Sequence, residues 1–257
     1  EAFAVGLACG GTIRVLVEPI GVGQGLPVAT LEALVGARGA REPMVYAVEP
    51  GGWARALLSA NAPGALGDLV KAALRNDKSG FVEAEDHEWF LGVHNPPLKL
   101  AVVGAVHIAQ ALVPMAQIAG YDVTVIDPRE AFASAARFPD TRLMHDWPDE
   151  ALAALSLDTR TAVVTLTHDP KLDDPAIRAA LASDCFYLGC LGSTRTHAKR
   201  VARLEEAGFD AATIARIHAP IGLDLGARSP AEIAVSVLSE MTAVLRAGAA
   251  RKTPVAA

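Results

Sequence analysis

The chain has 257 residues, of which 51% are hydrophobic and 20% charged, with a formal net charge of −6 and a pI near 5.6. An acidic chain without runs of Lys and Arg is unsuited to nucleic acid or an anionic membrane surface, because phosphate contacts need clustered cations. No apolar run reaches the ~20 residues of a membrane-spanning helix, and three separated cysteines form no disulfide framework. We therefore expect a cytoplasmic protein that binds neither nucleic acid nor membrane.

The sequence predicts a turn that carries a cysteine near its start. Cys9, Gly10 and Gly11 precede residues 13–19, whose alternating β-branched side chains predict a strand. Adjacent glycines allow close approach of a ligand, and consecutive N–H groups form anion-binding nests. The same pattern is typical of a small buried cysteine at a tight turn, and composition alone favours that interpretation. The first residue is Glu1 rather than Met, so we expect further sequence upstream.

Helices and strands alternate through the first 95 residues. The spacing predicts helices over 26–37, 53–59 and 66–75 and strands over 44–48, 81–83 and 88–94. Asn95-Pro96-Pro97 then interrupts the pattern, because proline neither continues a helix nor donates a hydrogen bond in a central strand. We predict a small α/β domain over residues 1–95 and a second domain over residues 98–248.

A strand–helix–strand unit opens the second domain. The apolar run Leu100–Val103 ends at Gly104, a helical segment follows, and a second β-rich run ends at Asp127. The interval from Gly104 to Asp127 is close to the ~20 residues that separate the phosphate-binding turn of a dinucleotide fold from its ribose-binding acid. Val106 replaces the second glycine of that fingerprint, and its side chain would narrow the approach to a pyrophosphate. The pattern predicts a Rossmann-like unit that holds a dinucleotide, another ligand or none.

Further strands and helices complete a parallel sheet. We predict strands over 142–145, 161–167 and 185–191 and helices over 132–138, 175–181 and 198–207. Residues 217–226 are too irregular for one element and are predicted to form a folded loop. Ser229 and Glu232 have capping-box spacing and predict a last helix that runs to about Arg246.

Polar residues collect where the predicted parallel strands end, which is where an open sheet of this kind binds ligands. They are His107, Asp127, Arg129, His168, Asp169, Gly192, Ser193, Arg195 and His197, with His218 and Asp224 in the tail loop. Arg129 suits a phosphate or a solvated surface position, and the Gly192-Ser193 turn opens a helix whose N–H groups suit an anion. The histidines lack HxH, HExxH or CxxC spacing, so we predict no metal site.

Four blocks in this chain resemble the XdhC/CoxI family, the accessory proteins of xanthine dehydrogenase and related molybdenum hydroxylases. They are Gly6–Ile13 with Val17–Pro19, Val103–Ala109 with Asp127–Arg129, Tyr187–Arg200, and Arg216–Asp224 with Pro230–Ala234. The resemblance implies a Rossmann-like domain preceded by a smaller α/β domain. It also implies a protein that binds the molybdenum cofactor, as molybdopterin or its cytosine dinucleotide form. Such a protein supports sulfuration of the cofactor with a cysteine desulfurase and passes it to a molybdenum hydroxylase apoenzyme.

By resemblance, Cys9 contacts molybdenum or its sulfur ligand, which reverses the interpretation from composition. The predicted cofactor-binding residues are Cys9, Gly10, Gly11, Gly104, His107, Asp127, Arg129, Gly192, Ser193, His197, His218 and Asp224. The family carries another Gly-Gly-Cys block upstream, so half of the cysteine site is expected outside this sequence.

The resemblance favours a cofactor chaperone over an enzyme with turnover. One alternative is an NAD(P)-dependent oxidoreductase that uses the Rossmann half, and another is a scaffold between desulfurase and apoenzyme. We expect a homodimer, because the small first domain needs a partner to cover its outer face.

Overall fold

The structure is a computed structural model that describes residues 13–247. The predicted cysteine site at Cys9, Gly10 and Gly11 lies outside the described residues. The chain divides into two compact units between Pro96 and Pro97, where two prolines interrupt secondary structure. None of the helices in the described part is long and apolar enough to span a membrane.

The first unit is built on a four-stranded antiparallel sheet in the order β2-β1-β4-β3. Its elements are α1 (Val28–Gly39), β1 (Met44–Val48), β2 (Arg55–Leu58), α2 (Gly64–Asn76), β3 (Gly80–Ala84) and β4 (His87–His94). One face of the central strand β1 presents Val45 and Ala47 to Val70 and Leu74 of α2. The other face packs Tyr46 and Val48 against a second group of apolar residues that includes Leu34 of α1. This strand is therefore buried on both faces.

Two predictions for this unit are wrong. Residues 13–19 form no strand, because no described strand forms a ladder with them, and Ile13, Val15 and Val17 are exposed. The predicted helix over 53–59 is instead the strand β2, which pairs with β1 in a hairpin. Trp53 has a φ of +61° in the connecting turn, and its N–H donates to Glu49 O at 2.7 Å. The hairpin pairing decides the structure of this short apolar run, whose sequence suits either element.

The second unit contains a six-stranded parallel sheet in the order β10-β9-β8-β5-β6-β7. Its elements are β5 (Leu98–Val103), α3 (His107–Ile118), β6 (Tyr121–Ile126), β7 (Arg142–Met144), α4 (Pro148–Leu155), β8 (Thr161–Thr165), α5 (Pro170–Leu181), β9 (Tyr187–Cys190), α6 (Thr194–Glu206), α7 (Ala211–Ile214), β10 (Ile217–His218) and α8 (Pro230–Ala247). Counted within the unit, this is the 3-2-1-4-5-6 order of the Rossmann fold. The predicted Rossmann-like α/β architecture is confirmed.

Two cores cover the two faces of this sheet. Leu100 and Val102 of β5 join α3 and α8 in one core, whereas Ala101 and Val103 join the other core, to which α4, α5 and α6 contribute. The alternation follows from the period of two along a strand, so a parallel strand covered on both faces is apolar at most of its positions. The strand β8 is likewise buried at every position.

Of three local predictions for this unit, one is wrong, one is right in part and one is confirmed. Residues 132–138 form turns instead of the predicted helix. Arg137 Nη1 donates to Phe132 O at 2.5 Å and to Ala105 O at 2.7 Å across these turns. The predicted loop at 217–226 begins with the short strand β10, and the rest is irregular. The capping box is confirmed, since Glu232 Oε2 accepts from Ser229 N–H at 2.9 Å and Ser229 Oγ accepts from Glu232 N–H at 3.3 Å.

Candidate functional site

The candidate site lies at the carboxyl edge of the parallel sheet, where the strand order reverses between β5 and β8. Gly104, directly after β5, has a φ of +105° and donates its N–H to Ile126 O at 2.9 Å. A Cβ atom at this position would lie 2.5 Å from Thr167 Cγ2, on the segment that follows β8. Gly104 therefore allows the ends of two neighbouring strands to approach, in addition to any role beside a ligand.

Asp127 is the acidic residue that follows β6, and it is fully buried. Its Oδ2 accepts from Ala105 N–H at 2.9 Å and from Arg129 Nη2 at 2.7 Å, while its Oδ1 accepts from Arg129 Nε at 2.8 Å. Burial alone would raise the pKa of this carboxyl, but the hydrogen bonds from Arg129 and Ala105 outweigh it and hold the pKa below its usual value. Both carboxylate oxygens are therefore engaged by the chain itself.

Arg129 forms a bidentate ion pair with Asp127 and also stacks on an aromatic ring. Its guanidinium carbon lies 4.2 Å from the centroid of Phe132, and 41% of its side chain is exposed. The pair with Asp127 raises the pKa of the guanidinium. Arg129 thus presents a fixed positive charge at the sheet edge, although the charge is largely balanced by Asp127.

A cavity of about 290 Å³ lies beside the Gly104 turn. It is lined by Val106, His107, Gln110, Ala131, Phe132 and Arg137. The exposed His107 is the first residue of α3, and Phe132 is 41% exposed. Arg137 fixes this wall, because its Nη2 donates to Gln110 Oε1 at 2.9 Å and its Nη1 donates to Ala105 O. The cavity offers an aromatic ring and hydrogen-bonding side chains next to the glycine turn.

A larger cavity of about 490 Å³ lies between α5 and α6. Its walls are His168, Pro170, Asp173, Arg195, Thr196, Lys199, Arg200 and Arg203. Four of these side chains are Lys or Arg, and Asp173 is the one carboxylate. The cavity is therefore strongly cationic in a chain whose net charge is −6.

Arg200 is the most buried cation of this cavity, with 2% of its surface exposed. Its Nη2 donates to Leu191 O at 3.0 Å. Nε and Nη1 have no hydrogen-bond partner among the residues that the structure describes. Asp173, which is also 2% exposed, accepts from Thr167 Oγ1 at 2.7 Å, and burial raises its pKa. Unpartnered N–H groups on a buried guanidinium are costly and need an explanation.

Gly192 and Ser193 form the turn that opens α6. Gly192 has a φ of +136°, which favours glycine. Ser193 is the N-cap, and its Oγ accepts from Thr196 N–H at 3.2 Å. Ser193 therefore satisfies one helix N–H itself. The next helical turn carries His197, which is half-buried and does not line the large cavity.

His218 and Asp224 lie away from the Gly104 turn. The strands β9 and β8 separate β10, which carries His218, from β5 in the sheet. The ring of His218 stacks on Tyr187 at 4.7 Å, and its Nδ1 lies 3.1 Å from Glu240 Oε1. Burial would raise the pKa of Glu240, but contacts from His218, the Tyr187 O–H and the Gly222 N–H hold it below its usual value. Asp224 is exposed in the following loop.

The two described cysteines are poor nucleophiles. Cys185 and Cys190 are both free and buried. Burial raises the pKa of Cys185, and it raises the pKa of Cys190 to about 11, so both are thiols at neutral pH. Within residues 13–247, no group of three or more His, Cys, Asp or Glu side chains is arranged to hold a metal ion.

Comparison with known proteins identifies the family. Residues 100–241, more than half of the chain, match the family model described as the XdhC Rossmann domain. The chain belongs to the XdhC family. The matched range covers the glycine turn, both cavities and most of α8.

Relatives of this XdhC family member include two named bacterial proteins. The chain is 35% identical over 149 residues to the molybdenum cofactor insertion chaperone PaoD of Escherichia coli, a match that covers 58% of this chain and 41% of PaoD. It is 32% identical over 133 residues to a Bacillus subtilis protein named as a probable xanthine dehydrogenase subunit, and this match covers 50% of this chain and 38% of that protein. The chain thus matches less than half the length of these relatives.

A solved structure shares the fold. A crystal structure described as a xanthine dehydrogenase from Bacillus halodurans superposes with a TM-score of 0.62 and 20% identity. The match covers 85% of this chain and 67% of that chain. At this identity the likeness concerns the fold alone.

The sequence predicted only part of the cationic cavity, namely His168 and Arg195 near a helix start suited to an anion, although this XdhC chain carries a signal for the rest. Arg195, Lys199 and Arg203 are spaced four residues apart and therefore share one face of α6. Such a row is usually a solvated helix face, and the sequence does not reveal that α5 lies opposite with Asp173 and Asp174. Arg200 is one position off this row, and only the fold shows that it is buried.

Proposed function

We propose that this chain binds the molybdenum cofactor and delivers it to a molybdenum hydroxylase of the xanthine dehydrogenase type. The observation that carries the proposal is the 35% identity to a protein named as a molybdenum cofactor insertion chaperone. Membership in the XdhC family supports the same role. The role is that of a carrier that holds and transfers a cofactor, with little or no turnover of its own.

The residues at the sheet edge fit such a cofactor, which combines a flat heterocycle with an anionic phosphate end. The exposed ring of Phe132 lies beside His107 and Gln110 in the smaller cavity, an environment suited to a polar heterocycle. The larger cavity supplies cations, including the buried Arg200 with unpartnered N–H groups. We assign the residues of the smaller cavity to the heterocycle and those of the larger cavity to the anionic end. The bound cofactor would supply molybdenum with its exchangeable sulfur ligand.

Cys9 is the proposed thiol of this carrier. A cysteine contacts molybdenum or sulfur as the thiolate, which requires a pKa near or below neutral pH. Cys185 and Cys190 are excluded because burial raises the pKa of both. Cys9 is the remaining cysteine of the three, and its neighbours Gly10 and Gly11 suit a nest of N–H dipoles that stabilises an anion. We further propose a cysteine desulfurase and a hydroxylase apoenzyme as its partners.

The test is co-purification of the cofactor with the Cys9→Ala variant. The chain is purified from cells that make molybdenum cofactor, and pterin is measured by its fluorescence after acid oxidation. We expect bound pterin to fall on the order of tenfold, which corresponds to about 1.4 kcal/mol. Cys185→Ala is the matched control and should retain the cofactor. Equal pterin in wild type and Cys9→Ala would contradict the assignment of Cys9, and pterin absent from the wild type would contradict the proposed function.

An NAD(P)-dependent oxidoreductase is the alternative, and the strand order favours it. The contact that such a protein makes between its acidic residue and the ribose hydroxyls is not available here, because Arg129 and Ala105 engage both oxygens of Asp127. Saturable NAD(P) binding with hydride transfer, unchanged in Cys9→Ala, would support this alternative over the carrier.

A further inference from the structure

We propose that the cavity between α5 and α6 is a binding site for a doubly charged phosphate group. The site is distinct from the glycine turn after β5, where a dinucleotide fold places its phosphates. The residues of the cavity by themselves support a phosphate site, whereas its assignment to the phosphate end of the molybdenum cofactor rests on the proposed function.

The charge of the cavity matches a dianion. Arg203 is neutralised within the wall, because its Nε and Nη2 donate to the two oxygens of Asp174 at 2.6 and 2.8 Å. Three cations, Arg195, Lys199 and Arg200, then face one carboxylate, Asp173. The remaining excess is two positive charges in a chain of net charge −6. A phosphate monoester at neutral pH carries about 1.5 to 2 negative charges and would balance most of it.

The buried guanidinium of Arg200 indicates which kind of ligand the cavity binds. Its guanidinium is 2% exposed, and its Nε and Nη1 lack a partner within the described part of the chain. Asp173 does not remove the need for a partner, since it accepts from Thr167 Oγ1. A phosphate presents several acceptor oxygens, and these accept strong, charge-assisted hydrogen bonds from guanidinium N–H groups. An anion bound in the cavity would therefore complete the hydrogen bonding of a buried charge.

The walls suit an anion that enters from solvent. Arg195 and Lys199 are exposed and lie one helical turn apart on α6, so their flexible side chains can close over a ligand held by Arg200. The amino ends of α5 and α6 both border the cavity, and the positive ends of their dipoles add to the attraction for an anion.

The test is calorimetric titration of the full chain with inorganic phosphate and with pyrophosphate. We expect saturable binding of one anion per chain, with weaker binding at higher salt. Arg195→Gln and Lys199→Gln should each weaken binding roughly fivefold or more, because each removes a charge that contacts the anion. Both side chains are exposed, so these variants should fold. Arg178→Gln is the control, since it removes an exposed charge from α5 outside the cavity.

Arg200→Lys provides a second measurement that separates charge from geometry. It keeps the positive charge and loses the Nε and Nη1 donors of the guanidinium, so we expect weaker phosphate binding with a melting temperature that confirms folding. Non-saturable binding, or binding that falls equally in Arg178→Gln, would overturn the phosphate site. So would binding unchanged in Arg195→Gln and Lys199→Gln.

The source of the phosphate is decided by the pterin content of the same variants. If the cofactor supplies the phosphate, Arg195→Gln and Lys199→Gln will also carry less pterin, and added pyrophosphate will displace pterin from the wild type. If pterin content is unchanged while phosphate binding falls, the site serves another phosphorylated small molecule. That result would uphold the phosphate site and overturn its assignment to the cofactor.

Discussion

Asp127 occupies the position at which the Rossmann fold carries its ribose-binding acid, and both of its carboxylate oxygens are engaged by the chain itself. Its carboxylate joins the glycine turn after β5 to the loop after β6 through Ala105 N–H and Arg129. An acid at the same place in the fold can bind a ribose only if its oxygens are not engaged by the chain. In this chain Arg129, two residues away, engages both of those oxygens.

Replacing Asp127 with asparagine should destabilise the chain by roughly 2 kcal/mol at neutral pH, because charge-assisted hydrogen bonds to Arg129 and Ala105 are weakened. The native pKa of Asp127 is lowered. Its stabilisation is therefore present above the unfolded pKa of about 3.9 and is lost as pH falls through the native pKa. Chemical denaturation at several pH values measures this. Asp122→Asn, at an exposed position of β6, is the control. A difference between wild type and Asp127→Asn that persists unchanged to the lowest pH would contradict this account.

Gly104 is expected to be intolerant of any side chain. Gly104→Ala places a methyl group 2.5 Å from Thr167 Cγ2 at a φ of +105°, so we expect a loss of about 2–4 kcal/mol. Gly120→Ala is the matched control, since its φ is +88° but no atom lies within 4 Å of the added Cβ; a loss near 1 kcal/mol is expected. Thermal denaturation compares the two.

Adding Thr167→Ser to Gly104→Ala tests the cause. Serine lacks Cγ2 but keeps the hydroxyl that donates to Asp173, so part of the lost stability should return. Equal stability of Gly104→Ala and Gly120→Ala would show that the close approach to Thr167 is unimportant.

At the scale of elements, the ion pair between Asp174 and Arg203 joins α5 to α6. Asp174 is 7% exposed, and 37% of the Arg203 side chain is exposed. A double-mutant cycle with Asp174→Asn and Arg203→Gln should give a coupling energy of about 1–2 kcal/mol, as expected for contacting charges that are partly shielded from solvent. Additive losses from the two substitutions would show that the pair contributes nothing.

The elements that the sequence predicts well are those with strong local signals. The segment from β5 to β6 has an apolar strand, a glycine, helical spacing and a second strand, and it folds as expected. The predictions for the hairpin strand β2 and for the turns at 132–138 are wrong, because short apolar runs lack a decisive period. The helix α4 is absent from the sequence predictions, although Pro148 at its start and the acidic residues Asp149 and Glu150 in its first turn are regular start signals.

At the scale of the whole molecule, each unit has its own hydrophobic cores. We expect the fragment of residues 97–257 to fold by itself, because both faces of its parallel sheet are covered by helices of the same unit. Circular dichroism and a cooperative thermal transition would show this. A fragment that begins at Gly104 lacks the central strand β5 and should be unfolded. Loss of cooperative unfolding in the longer fragment would contradict the independence of the unit.

The sequence by itself determined the alternation of strands and helices, the interruption at Pro96-Pro97, the capping box of α8 and the family. These features depend on residues close in the chain or on blocks in a fixed order. Only the tertiary structure decided that Asp127 is engaged by Arg129 and Ala105, and that Arg200 is buried in a cationic cavity. Most of the partners in these contacts lie far apart in sequence, as with Asp174 and Arg203, so local periodicity carries no information about them. Folding brings them together, and burial then sets their charge and their hydrogen-bonding needs.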